Sequence, residues 1–210
     1  MTGLRGRWLP LAVLVAAVAA LIASIMWIGG NGSPSWRPGP KTMTGVTSRE
    51  GVVHNLTEAS RAAQSFANRW GLHVGEIMRF TNGYYAQLLD AHGKGATEVL
   101  IDPSSGLVQP EFGPAMMWNT AYGMMAAGTR PGTPEIGPGQ AVRNADRWLS
   151  EHHTGLHAAG PDQFPGYYTL HTLRDDRLVG MLSVNASTGA VWYHTWHGRF
   201  LQMQQQPGRA

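Results

Sequence analysis

Gly83-Tyr84-Tyr85 recurs as Gly166-Tyr167-Tyr168, 83 residues later. The same offset carries Ile101-Asp102-Pro103-Ser104-Ser105-Gly106 onto Val184-Asn185-Ala186-Ser187-Thr188-Gly189, and Val108 onto Val191. A constant offset across strand-like runs and a turn limits this chain to two copies of one unit. Upstream, Ala63, Ala67, Arg69 and Trp70 match Ala141, Ala145, Arg147 and Trp148 at an offset of 78. The difference places a five-residue insertion in the second copy, within GLHAAGPDQFP.

Each unit opens on a helical stripe. In the first it is Ala59, Ala62, Ala63, Phe66, Ala67 and Trp70, entered at Thr57 and Glu58 and ended by Gly71. In the second it is Ala141, Val142, Ala145, Trp148 and Leu149, after Pro138 and Gly139. Alternating β-branched and aromatic runs then predict three strands per copy. They cover residues 83–89, 97–102 and 107–112 in the first, and 167–173, 178–185 and 190–197 in the second. The expected fold class is therefore α+β: two tandem units, each one helix packed on a short antiparallel three-strand sheet, behind an N-terminal transmembrane helix. The sheet face away from each helix must meet water, the other copy or a partner.

The transmembrane expectation comes from residues 8–28, WLPLAVLVAAVAALIASIMWI, an uncharged run with Trp8 and Trp27 near its ends. At about 1.5 Å per residue it can cross a hydrocarbon core of about 30 Å. A cleaved signal peptide would have a shorter apolar core and a polar exit. Arg5 and Arg7 precede the run, which points to a cytoplasmic N-terminus and an extracytoplasmic remainder at the plasma membrane. The expected organisation is 1–7 cytoplasmic, 8–28 anchor, 29–56 linker, 57–113 first unit, 114–137 a Met/Trp linker, 138–200 second unit and 201–210 tail.

Composition excludes several classes. The chain has no cysteine, so disulfides, thiolate nucleophiles and Cys-based zinc sites are absent. The net charge of +3 includes Arg5 and Arg7; beyond residue 28 fourteen basic residues face thirteen acidic ones. No basic stripe remains to hold nucleic acid. There is no H-E-x-x-H, G-x-S-x-G, P-loop or G-x-G-x-x-G, so nothing nominates an enzyme.

A helix, a GYY strand, a strand ending in the turn Asp102-Pro103-Ser104-Ser105-Gly106 or Asn185-Ala186-Ser187-Thr188-Gly189, and a Val-Trp-Tyr strand together resemble PepSY-domain proteins. The resemblance covers residues 57–112 and 138–198. It implies extracytoplasmic, non-catalytic modules that inhibit or regulate peptidases, with no catalytic residues to carry over.

Two site readings follow. A binding or regulatory module acting on an envelope protein such as a peptidase would use a sheet edge and aromatic anchors. His171, Trp192, His194 and Trp196 are its candidates, since the first copy has Leu88, Gln109, Glu111 and Gly113 at the matching offset. The alternative is an extracytoplasmic copper or other soft-metal site. Its candidates are Met116, Met117, Met124, Met125, His194 and His197, because thioethers and imidazoles suit Cu(I). On an ideal strand His194 and His197 point to opposite faces, so the two are not expected to share a site by themselves.

Overall fold

The computed structural model describes residues 43–47, 51–124 and 136–204. The apolar run at residues 8–28 and Met125 lie outside the described residues. Among the described residues no helix is long and apolar enough to cross a membrane.

The first sheet contains β1 (Val46–Thr47), β2 (His73–Phe80), β3 (Gly83–Leu89), β4 (Gly95–Ile101), β5 (Leu107–Pro110) and, from the far end of the chain, β10 (Phe200–Gln204). Its order is β1-β5-β4-β3-β2-β10, with every pairing antiparallel. The second sheet runs β6 (His157–Phe164), β7 (Tyr167–Arg174), β8 (Arg177–Asn185) and β9 (Val191–Tyr193), in that order and also antiparallel. Helix α1 (Leu56–Asn68) precedes β2, α2 (Pro114–Met117) follows β5, and α3 (Pro138–His152) precedes β6.

Side-chain alternation arranges these parts in layers. Ala59, Ala62, Ala63, Phe66 and Ala67 of α1 share a core with Ile77, Tyr84, Ala86, Leu88, Val99, Ile101 and Val108. Ala141, Ala145 and Leu149 of α3 do the same with Tyr168, Leu170, Leu182 and Val184. Because successive strand residues point to opposite faces, Tyr85 and Glu98 of the first sheet turn toward Thr169 and Ser183 of the second. The face each helix leaves open is covered by the other sheet. Met78, Phe80 and Tyr85 meet Met181 and Leu178 there, beside Phe200.

The expected α+β pair of three-strand units is corrected by this arrangement. The protein is mostly β, with sheets of six and four strands and only three helices among the described residues. The missed strands β2 and β6 carry irregular registers between Val74 and Ile77 and between Ala159 and Asp162. Gly75 and the Gly160-Pro161 pair sit at those irregularities and break the alternation that marks a strand in sequence. β10 escaped because its partner is more than a hundred residues away, on β2.

The repeat register also changes. Tyr84 and Tyr168 both face their helices, whereas Tyr85 and Tyr167 both lie between the sheets. Structurally, Tyr84 therefore corresponds to Tyr168, one residue away from the match of identical triplets. A slip of one residue exchanges the two faces of a strand. The insertion likewise falls elsewhere: α3 runs on through Trp148 to His152, while Trp70 lies beyond the end of α1.

Local chemistry sets the ends. Asn55 accepts from the Glu58 amide at 3.0 Å and Glu58 Oε2 accepts from the His54 amide at 2.7 Å, a reciprocal cap on α1. In the β4–β5 turn Asp102 Oδ1 accepts from the amides and hydroxyls of Ser104 and Ser105. The Ser104 hydroxyl, then the hydroxyl and amide of Ser105, hold the Asp102 carboxyl below its ordinary range. A depressed carboxylate stabilises the fold above its unfolded pKa of about 3.9 and loses that contribution as pH falls through the folded value. Asp102→Ala is therefore expected to cost about 1 kcal/mol at pH 7. The gap between the urea midpoints of the two proteins should narrow as pH falls below about 4; a constant gap would contradict the role of the charge.

Candidate functional site

Glu111 follows β5 and is fully buried, with its backbone amide donating to the Glu98 carbonyl at 2.9 Å. β9 ends at Tyr193, His194 still donates its amide to the Met181 carbonyl at 3.1 Å, and the chain then turns at Thr195 and Trp196 rather than continuing as a strand. That turn brings His194 and His197 to the same carboxylate, correcting the opposite-face expectation. His194 Nδ1 lies 3.3 Å and His197 Nε2 2.7 Å from Glu111 Oε1. The histidine and carboxylate ligand atoms of the trio all lie within 4.8 Å of one another.

The surrounding groups hold this trio in place. The Trp196 indole N–H donates to Glu111 Oε1 at 3.1 Å, and its ring stacks on His194 at a centroid distance of 4.6 Å. Phe80 packs against His197 at 4.3 Å. Asn82 accepts from the Gly198 amide at 2.8 Å and donates to the Trp196 carbonyl at 2.6 Å, tying the turn to the first sheet. A chain of hydroxyls runs from His194 Nε2 to Ser183 Oγ (3.0 Å), then to Thr169 Oγ1 (2.9 Å), which donates to Glu98 Oε2 at 3.0 Å. Tyr85 donates to the other oxygen of Glu98 at 2.6 Å.

Several polar atoms inside the trio remain unpaired. Glu111 Oε2, His194 Nδ1 and both ring nitrogens of His197 are buried without an aligned hydrogen-bond partner among the described residues. Close approach without alignment is not a hydrogen bond. Each orphaned buried polar group costs about 1–3 kcal/mol, so four within one trio of residues call for a missing partner. Donor direction sharpens this. With Thr169 donating to Glu98, Ser183 must donate to Thr169 and so accept from His194 Nε2–H. A neutral His194 in that tautomer would present a bare lone pair at Nδ1 to a carboxylate oxygen, whereas a protonated ring pairs with it. A cation between them removes that conflict.

Burial opposes charge on Glu111, but His194 and then His197 outweigh it and hold the carboxyl well below its usual range. Burial pushes His194 down, toward the neutral ring. For Glu98, burial and then the charge of Glu111 push the carboxyl well up. The two buried glutamates are thus pushed in opposite directions, Glu111 down and Glu98 up. An ionised carboxylate and neutral imidazoles are the forms that bind a metal.

The other candidates are placed differently. Met117 and Met124 are 49% and 53% exposed, and Met116 is half-buried in α2. His171 lies on β7, where its Nε2 is 3.0 Å from Glu76 Oε1 on β2. Trp192 is 38% exposed on β9, edge-on to Trp118 at 5.5 Å. Glu111 was missed because ligand spacing along the chain cannot link it to residues more than eighty positions away. A signal was present nonetheless: at the repeat offset Glu111 is the counterpart of His194, and the two counterparts meet where the copies face each other.

No family model matches the chain, and no curated protein matches it. Among solved structures it is similar to the Bacillus megaterium YpeB C-terminal domain, with 15% sequence identity and a TM-score of 0.26. The similarity covers 68% of this chain and 62% of that one. A likeness this loose carries no shared mechanism.

Proposed function

We propose that this protein is a non-catalytic metal-binding module that holds one divalent transition-metal ion through Glu111, His194 and His197. The observation that carries it is the clustering of one ligand atom from each of these three residues within 4.8 Å, beside buried polar atoms that lack an aligned partner. Two imidazoles and a carboxylate suit borderline ions such as Zn(II), Cu(II), Ni(II) or Fe(II) better than the Cu(I) that thioethers favour. Trp196 on the carboxylate and Ser183 on His194 supply the outer contacts that orient ligands in such sites. The purified domain, equilibrated with Zn(II) and dialysed, is expected to retain one equivalent. Retention below about 0.1 equivalent at micromolar free zinc would contradict this reading.

The matched turns at Asp102 and Asn185 support a PepSY-like origin for the two halves. A position outside the cytoplasm, held at the membrane through residues 8–28, belongs to the same proposal. A C-terminal alkaline phosphatase fusion should then be active in cells, and an inactive, intact fusion would count against it.

A second reading is favoured by one surface. Phe112, Met117 and Trp192 are exposed by 44%, 49% and 38%, and Gly113 brings the segment that carries the first two against the Trp192 ring. Apolar residues gathered on a surface mark contact sites. An envelope protein, such as a peptidase, would dock here. A photo-crosslinker at Phe112 is expected to trap that partner in cells; no adduct would speak against the surface.

A further inference from the structure

We infer that the ion at Glu111, His194 and His197 keeps an open position, filled by a small flat nitrogen or oxygen donor that enters through the cleft beside His197. The inference rests on the metal reading above and names the class of ligand that site takes: a carboxylate or an azole with an apolar body.

Three observations lead here. The trio is the full set of clustered histidine and acidic ligands among the described residues. A divalent transition metal takes four to six donors, and protein sites with three ligands leave the remainder to water or an incoming group. Next, a cleft of about 170 Å³ adjoins the trio, lined by Phe80, Tyr84, Gln109, Phe112, Trp196 and His197 among others. Its volume suits a ligand of one small ring rather than a peptide. Lastly, the cleft meets the site at its outermost ligand: the His197 side chain is 4% exposed, while those of His194 and Glu111 are closed to solvent.

The walls define what fits. Phe80, Phe112 and Trp196 line it with aromatic residues, which favour a flat apolar body. Neither Lys nor Arg lines the cleft. Asp102, which also lines it, accepts from Ser104 and Ser105 through Oδ1. A negative or lone-pair head group would therefore be held by the ion and not by a protein cation. The Gln109 amide, on half-buried β5, is left to read a polar substituent.

Cobalt(II) gives the test, because its visible d–d absorption changes when a ligand exchanges. The Co(II)-loaded protein is titrated with azide, imidazole and benzoate, with cobalt content measured in parallel. The absorption bands are expected to shift with each, at dissociation constants of about 10 mM or below. Gln109→Trp, which fills the cleft, is expected to weaken benzoate by about tenfold or more. Bound cobalt with bands unmoved by all three ligands would overturn the open position while leaving the metal site intact. A shift with undiminished benzoate affinity in Gln109→Trp would overturn the cleft as the route. Failure to take up cobalt at all would overturn both this inference and the reading beneath it.

Discussion

Glu111→Ala is expected to abolish metal retention and to lower the thermal midpoint of the unloaded protein by about 6–20 °C. The two effects have separate causes. Metal retention fails because the site loses its only charged ligand, and two neutral imidazoles alone hold a divalent ion weakly. Stability falls because the Trp196 indole and both histidines would be left buried around a void where the carboxylate stood. Removing one partner from a buried ionic cluster costs about 3–5 kcal/mol, and at this chain length each kcal/mol moves the midpoint by about 2–4 °C. Glu111→Gln keeps the volume and one acceptor oxygen for Trp196, so it should fold with a smaller loss and still not retain zinc. Differential scanning calorimetry with metal analysis of both variants separates the effects. Full zinc retention by the folded glutamine variant would exclude Glu111 as a ligand.

The second large effect is expected at Gly166, in the β6–β7 turn. Its φ is +90°, and a β-carbon there would lie 2.3 Å from the Trp118 carbonyl oxygen. The contact is backbone against backbone, so no side chain can rotate away. Thr120 also donates to the neighbouring Pro165 carbonyl at 3.1 Å, which makes this turn the seat of the segment after α2. Gly166→Ala should cost about 2–4 kcal/mol, combining backbone strain with overpacking. Gly93→Ala is the control: its φ is +75°, but nothing lies within 4 Å of the added carbon. That change should cost about 1 kcal/mol. Equal urea midpoints for the two variants would contradict the close approach at Trp118.

How much of this was legible in the sequence depends on the range of the interactions involved. Local patterns carried well: the stripes of α1 and α3, the turns at Asp102 and Asn185, and the core strands all follow short-range rules. Legibility stopped where pairing is long-range or alternation is broken. Gly75 and Gly160 hid β2 and β6, and β10 shows no signal that it would cross to the first sheet. The triplet of glycine and two tyrosines misled by one residue, because matching identities says nothing about which face each tyrosine takes.

The site divides along the same line. His194, Trp196 and His197 were singled out because the second copy has them and the first does not, and they surround one carboxylate. The methionines were singled out for sulfur chemistry, yet Met117 and Met124 are exposed, while the acidic ligand is the residue opposite His194 in the repeat. The distinguishing property of Glu111 is burial between sheets, which no linear spacing encodes. Only the packing of the two copies turns a glutamate from one and two histidines from the other into a single cluster.

Anomalous scattering tests the central claim most directly. Crystals of the described domain equilibrated with Zn(II) would be measured on both sides of the zinc absorption edge. One strong peak is expected between the two sheets, about 2.0–2.2 Å from a Glu111 oxygen, His194 Nδ1 and a His197 nitrogen. A peak seated instead on the outer histidines, His152 and His153 beside Trp148, with none between the sheets, would contradict it.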